Sequence, residues 1–147
     1  MRAMGEMPRF DPRAFSLEPL ARRVEKPWGY EVLLSPPDAP YTAKLVAVRA
    51  GCQLSLQVHD VKVETQALVS GQGVLVLQGP DGADREIEMQ PGLGYHVAVG
   101  QRHRLRALTD IVVFEASSPE AGTTYRLVDD YARPDETEDD RRRERGG

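Results

Sequence analysis

The sequence predicts an all-β domain, a small sandwich or barrel, because short apolar or alternating runs follow one another over residues 28–116 and turn residues punctuate them. No stretch in that region has the period of an amphipathic helix. Composition agrees: Gly 13 and Pro 11 with 6% aromatic residues favour many reversals over long helices.

The first 23 residues are rich in Arg and Pro and lack a clear period, although Phe15, Leu17 and Leu20 have a weakly helical spacing. Residues 1–24 are therefore expected to form an arm that packs late or on a partner subunit. Strands are expected at residues 30–34, 43–48, 53–58, 65–69, 73–77, 86–89, 94–97, 104–107 and 111–116, many of them rich in β-branched residues. Ser35-Pro36-Pro37-Asp38, Arg49-Ala50-Gly51, Ser70-Gly71, Gly79-Pro80-Asp81-Gly82, Gln90-Pro91-Gly92 and Thr109-Asp110 supply the reversals between them. Strands at such even spacing suit a closed barrel, which removes exposed edges. Residues 25–133 are expected to make this barrel. Residues 134–147 carry no apolar side chain and read as a charged tail, disordered or a solvated helix, since nothing in them offsets ordering entropy by burial.

A length of 147 residues fits one domain. The net charge of −4 gives no basic face for phosphates, so nucleic acid is excluded as a partner. No segment reaches the ~20 apolar residues of a membrane span, and Arg2, Glu6 and Arg9 interrupt the start where an export signal needs an apolar stretch. Cys52, the single cysteine, can form neither an internal disulfide nor a Cys-based zinc cluster, which suits a cytoplasmic protein.

The chemistry concentrates on four residues. Gln57 and His59 have the same parity, so on a strand both side chains point to one face. Glu64 follows after a turn, and His103 comes from a separate hairpin. Two imidazoles, a carboxylate and an amide oxygen form a mixed N/O set for one divalent ion, Zn, Mn, Fe, Ni or Co, with positions left open for water or substrate. Lys44 shares the parity of Val46 and Val48; inside the barrel it would bind an anion or act as an acid/base with a lowered pKa, and a surface lysine is the alternative. Arg104 and Arg126, with Tyr95, are candidate substrate contacts, the arginines through bidentate phosphate binding, and ordinary salt bridges are the competing reading for both. Lys62 reads as a solvated turn residue, His96 as a packed or surface histidine, and Trp28 and Tyr30 as core or interface anchors. Gly71-Gln72-Gly73 is followed by a strand and is no dinucleotide fingerprint.

These residues coincide with a known pattern. Gly51, Gln57-Val58-His59, Glu64 and Gly71 match the first signature of the cupin superfamily at every interval, with Gln57 where the first His would stand. Gly92, Ala98-Val99-Gly100 and His103 match the second, with Ala98 in place of its proline and Ala107 in place of its closing Asn. The chain thus resembles the cupins, which implies a small single-domain double-stranded β-helix, or jelly-roll barrel. It is also similar to the cupin domain of the mannose-6-phosphate isomerase and GDP-mannose pyrophosphorylase family. That similarity rests on Glu25-Lys26-Pro27-Trp28-Gly29-Tyr30-Glu31, the segment around Gln57 and His59, Gly100-Gln101-Arg102-His103-Arg104-Leu105, and Arg126-Leu127-Val128-Asp129-Asp130-Tyr131-Ala132-Arg133. That family often has further His residues after His59, where this chain has Asp60 and Val61. Separate phosphomannose isomerases hold zinc with a Gln-x-His pair, a Glu and a His, so the resemblance puts zinc first. It implies an isomerase or epimerase acting on a sugar, sugar phosphate or nucleotide sugar, with Glu64 and Lys44 as candidate bases, and a homodimer joined through the N-terminal arm. An iron-dependent dioxygenase and a non-catalytic sugar-binding module are the alternatives that the barrel also hosts.

Overall fold

Alternation of inward and outward side chains builds two antiparallel sheets in the computed structural model, which describes residues 4–145. The strands are β1 (Arg22–Lys26), β2 (Gly29–Leu33), β3 (Thr42–Val48), β4 (Leu56–His59), β5 (Glu64–Ser70), β6 (Gly73–Gln78), β7 (Asp84–Glu88), β8 (Tyr95–Val97), β9 (His103–Ala107), β10 (Ile111–Ser117) and β11 (Thr124–Val128). One sheet runs β1-β2-β3-β10-β5-β8 and the other β11-β4-β9-β6-β7. Each of the nine expected strands is present within a few residues of its expected bounds.

Register divides the interior into layers. On the larger sheet Lys44 lies opposite Glu115, Val46 opposite Val113 and Val48 opposite Ile111, while Glu115 also faces Gln66. One end of the barrel is therefore polar inside and the other apolar. Trp28, Val46, Val48, Leu68, Leu75, Met89, Leu105, Ile111 and Val113 form the apolar core. A glycine is required at Gly71, between β5 and β6, because its φ is +85° and a Cβ would lie 2.2 Å from the Asp110 carbonyl oxygen.

Two segments differ from expectation. The stretch read as an arm contains a strand, since β1 starts at Arg22 and pairs with β2. Ahead of it Phe10, Phe15 and Leu17 stay exposed, the last at 90%, with the two Phe rings edge to face at 5.4 Å. The charged close, within its described residues, folds onto the barrel. Glu136 pairs with Thr124, Thr137 caps the helix α1 (Glu138–Glu144) with a capping box closed by Asp140, and Arg141 is buried. The Arg141 guanidinium donates to Glu136 (3.0 Å) and to the carbonyls of Glu120 (3.0 Å) and Gly122 (3.0 Å), and Glu144 accepts from Lys26 (2.7 Å). Partners on the barrel thus compensate the charges that made this segment look unfoldable. Among the described residues no helix is long and apolar enough to cross a membrane.

Candidate metal centre

His59 closes β4, Glu64 opens β5 and His103 opens β9, so the two sheets bring one carboxylate and two imidazoles together in the polar layer. The hairpin carrying His103 is fixed to β4 by Gly100, whose N–H donates to the His59 carbonyl at 2.9 Å and whose φ of +74° suits glycine. One ligand atom from each of His59, Glu64 and His103 lies within 4.8 Å of the others, and all three residues are buried.

The hydrogen bonds around the rings prepare them as ligands. His103 Nδ1 is 2.9 Å from the Gln101 carbonyl, an acceptor only, so that nitrogen carries the proton and Nε2 presents a lone pair. Nε2 then accepts from Gln57 Nε2 at 3.2 Å and stands 3.2 Å from Glu64 Oε1. Two acceptors so close call for a cation beside them. His59 Nδ1 is bonded to Thr124 Oγ1 (2.9 Å), while Nε2 is buried without a partner, 3.9 Å from a Glu64 Oε2 that also accepts no hydrogen bond. Unpartnered buried polar atoms are rare and mark a place for a missing partner.

Burial, followed by the Lys62 ammonium, pushes the His59 imidazole down to about 3, so it is neutral. Burial alone would raise Glu64, but the Lys62 ammonium beside it outweighs burial and holds the carboxyl well below its ordinary value. Neutral imidazoles and an ionised carboxylate are the forms that bind metal. The donor set therefore fits a divalent ion of the Zn, Mn, Fe, Ni or Co group.

The other expected site residues are distributed differently. Gln57 lies beside the centre, its Oε1 accepting from Ser55 Oγ at 2.7 Å. Lys44 does project inward, but it is no base with a lowered pKa. Burial alone would lower it, yet Glu115 and Glu31 raise it above the ordinary lysine value, and its Nζ is 2.8 Å from Glu31 and 2.6 Å from Glu120. Arg104 alternates with inward His103 and Leu105 and spends its donors on the carbonyls of Leu54 (2.9 Å) and Val128 (3.0 Å). Arg126 lines the interior but holds Glu136 (3.1 Å) and the Pro134 carbonyl (2.8 Å). The Tyr95 hydroxyl accepts from the Gln90 N–H (2.9 Å), so its structural bonds are local. His96 is exposed and bonded to Thr65.

Sequence reading missed Lys62, which is buried at 6% exposure rather than solvated. Its Nζ stands 3.1 Å from Glu64 Oε2, 3.0 Å from Glu115 Oε2 and 3.4 Å from Glu120 Oε1. Glu31, Glu115 and Glu120 were also missed, and Arg145 joins them by pairing with Glu31 and Glu120. Single charges on turns and strands read as surface, and only tertiary pairing reveals their burial. Lys62, Glu31, Glu115 and Glu120 line a cavity of about 50 Å³ at the polar end.

The network sets a pH dependence. Burial alone would raise Glu31 and Glu136, but Lys44, Lys26 and Arg145 around Glu31, and Lys26, Arg126 and Arg141 around Glu136, hold both below the ordinary 4.5. A depressed folded-state value gives stability that is present above the unfolded value and lost as pH falls. Glu115, raised by burial and then by Glu64, acts in the opposite sense and softens the slope. The urea midpoint of the metal-free protein is expected to drop between about pH 5 and pH 3; a flat midpoint there contradicts the depressed carboxylates.

No family model matches the chain, and no curated protein matches it. Solved structures do. The capsular polysaccharide assembling protein CapF from Staphylococcus aureus superposes over 86% of this chain and 33% of its own, with a TM-score of 0.61 and 16% identity. Bacillus subtilis oxalate decarboxylase, described with Mn(II) centres, superposes over 72% of this chain and 30% of its own, with a TM-score of 0.61 and 20% identity. The chain has the cupin fold. This cupin barrel spans about a third of the length of those proteins, and at such identities the likeness concerns fold rather than reaction. Within the cupin barrel, His59, Glu64 and His103 occupy the signature positions from which the resemblance was read.

Proposed function

We propose that the chain is a metal-dependent cupin enzyme of the isomerase or epimerase class, acting on a sugar, sugar phosphate or nucleotide sugar. The observation that carries the metal part is the buried His59 Nε2, which has no partner, facing Glu64 Oε2, which accepts no hydrogen bond, beside His103 Nε2. The substrate class is supported by the sequence resemblance to the mannose-6-phosphate isomerase family and by the fold shared with a capsular polysaccharide assembling protein. His59, Glu64 and His103 are the ligands, zinc leading and manganese next, with Gln57 able to add its amide oxygen on rotation. Such an ion polarises carbonyl and hydroxyl oxygens and stabilises charge that develops on them.

The chain's own groups do the rest. Thr124 and the Gln101 carbonyl orient the two rings, and Gln66 donates to Glu64 Oε1 at 3.0 Å, which fixes the carboxylate plane. Proton transfer beside the substrate carbonyl falls to Glu64, through the carboxylate oxygen that the ion leaves free, and not to Lys44, which is held by Glu31 and Glu120. The cavity is far smaller than the roughly 300–1,000 Å³ usual for small-molecule sites.

The test is solvent exchange. Metal-loaded protein incubated in deuterated water with a panel of sugar phosphates and nucleotide sugars is expected to incorporate deuterium beside the carbonyl of one of them. The small cavity favours a second reading, a binding module without turnover. Ligand binding that survives chelation, with no exchange across the panel, would establish that module and exclude the enzyme. Exposed Phe10, Phe15 and Leu17 support a homodimer joined through the arm. Sedimentation at micromolar concentration is expected to give twice the chain mass, and a monomer mass rejects the pairing.

A further inference from the structure

Lys62 contacts Glu64 in an unusual way. Its Nζ lies 3.1 Å from Oε2, yet that oxygen accepts no hydrogen bond, so the contact is one of charge alone. The hydrogen bonds of Lys62 go instead to Glu115 (3.0 Å) and Glu120 (3.4 Å). The oxygen it approaches is the one that faces His59 Nε2. The ammonium thus supplies positive charge at the ligand carboxylate while being anchored elsewhere.

We propose that Lys62 is a tethered internal cation that stands in for metal charge, neutralising Glu64 in the metal-free protein and weakening the site's hold on a divalent ion. The inference rests on the metal reading above. An ion bound at His59, Glu64 and His103 meets a like charge held in place by two further carboxylates, and such repulsion is little screened in a buried site. Because Glu115 and Glu120 retain Lys62, the protein accepts an ion without expelling the lysine, at reduced affinity. Lys44 stabilises the same carboxylates from the other side, being 3.5 Å from Glu115 and 2.6 Å from Glu120. Removing Lys62 therefore leaves the cluster one cation short but not bare.

The experiment titrates Zn(II) and Mn(II) separately into the metal-free full chain and into Lys62→Met, Lys62→Gln and Lys62→Arg by calorimetry, with melting temperature followed in parallel. The neutral variants are expected to bind at least about tenfold more tightly than the parent, and added metal should raise their melting temperature more. Lys62→Arg keeps the charge and should keep the parent's affinity. Lys62→Gln retains a hydrogen-bond donor for Glu115 and serves if Lys62→Met does not fold. Tight binding by a neutral variant supports the inference even if the parent binds too weakly to measure. Equal affinities across parent and neutral variants overturn it and leave the metal reading standing. Absence of binding in parent and neutral variants alike overturns both.

Discussion

His103→Ala is expected to lose its bound metal while the barrel stays folded. The ring supplies one of three clustered donors, and its Nδ1 bond to the Gln101 carbonyl is what aims Nε2 at Glu64. Loss of an outer partner of a ligand typically costs ~10–100-fold in affinity, so loss of the ligand itself should exceed that range. Thr124→Val, which removes only the oxygen bonded to His59 Nδ1, provides the smaller step for comparison. The fold should survive because His103 belongs to the polar layer, outside the cluster of Trp28, Leu75, Ile111 and Val113. The cavity left behind costs a few kcal/mol, about 2–5 by analogy with other large-to-small changes, against the ~5–15 kcal/mol of a typical domain. Elemental analysis of protein purified without a polyhistidine tag, alongside circular dichroism, measures both quantities. Metal content equal to the parent's would remove His103 from the site, and His59→Ala should behave in the same way.

The success of the sequence reading has a physical basis. Parity along a strand is strict, so Gln57 with His59, and Lys44 with Val46 and Val48, could be assigned to common faces without coordinates. The turn glycines fixed where strands reverse, and that was enough to predict a closed β fold. β1 escaped because Arg22-Arg23-Val24-Glu25-Lys26 carries one apolar residue among four charges, a pattern fit for an edge strand that buries only Val24 and Lys26. β11 escaped because Tyr125, Leu127 and Val128 are exposed, leaving Thr124 as its only buried residue. Helix α1 was open to misreading because its anchor is an arginine: Arg141 is buried by acceptors on Glu120, Gly122 and Glu136, and nothing local announces them. The same holds for Lys62, whose partners Glu115 and Glu120 lie more than fifty positions along the chain. Apolar burial leaves a periodic signal, whereas burial of paired charges depends on contacts between distant segments.

Lys44→Met is expected to destabilise the protein by about 3–5 kcal/mol without removing metal binding, because deleting one partner of a buried ion cluster strands the others. Lys44 has 4% exposure, and its Nζ lies 2.8 Å from Glu31, 3.5 Å from Glu115 and 2.6 Å from Glu120. Without it those carboxylates depend on Lys62 and Arg145, neither of which reaches all three within ion-pair distance. A catalytic base would give the opposite result, loss of turnover at near-native stability, so urea unfolding with metal analysis separates the roles. The double variant Lys44→Met with Glu31→Leu sharpens the test. Replacing both members of a buried pair by apolar residues is often neutral or stabilising, so the second change should recover part of the loss, even though Glu31 by itself is an ion-paired residue. If the two losses simply add, the lysine is not held by that carboxylate, and its inward position must be explained by packing alone.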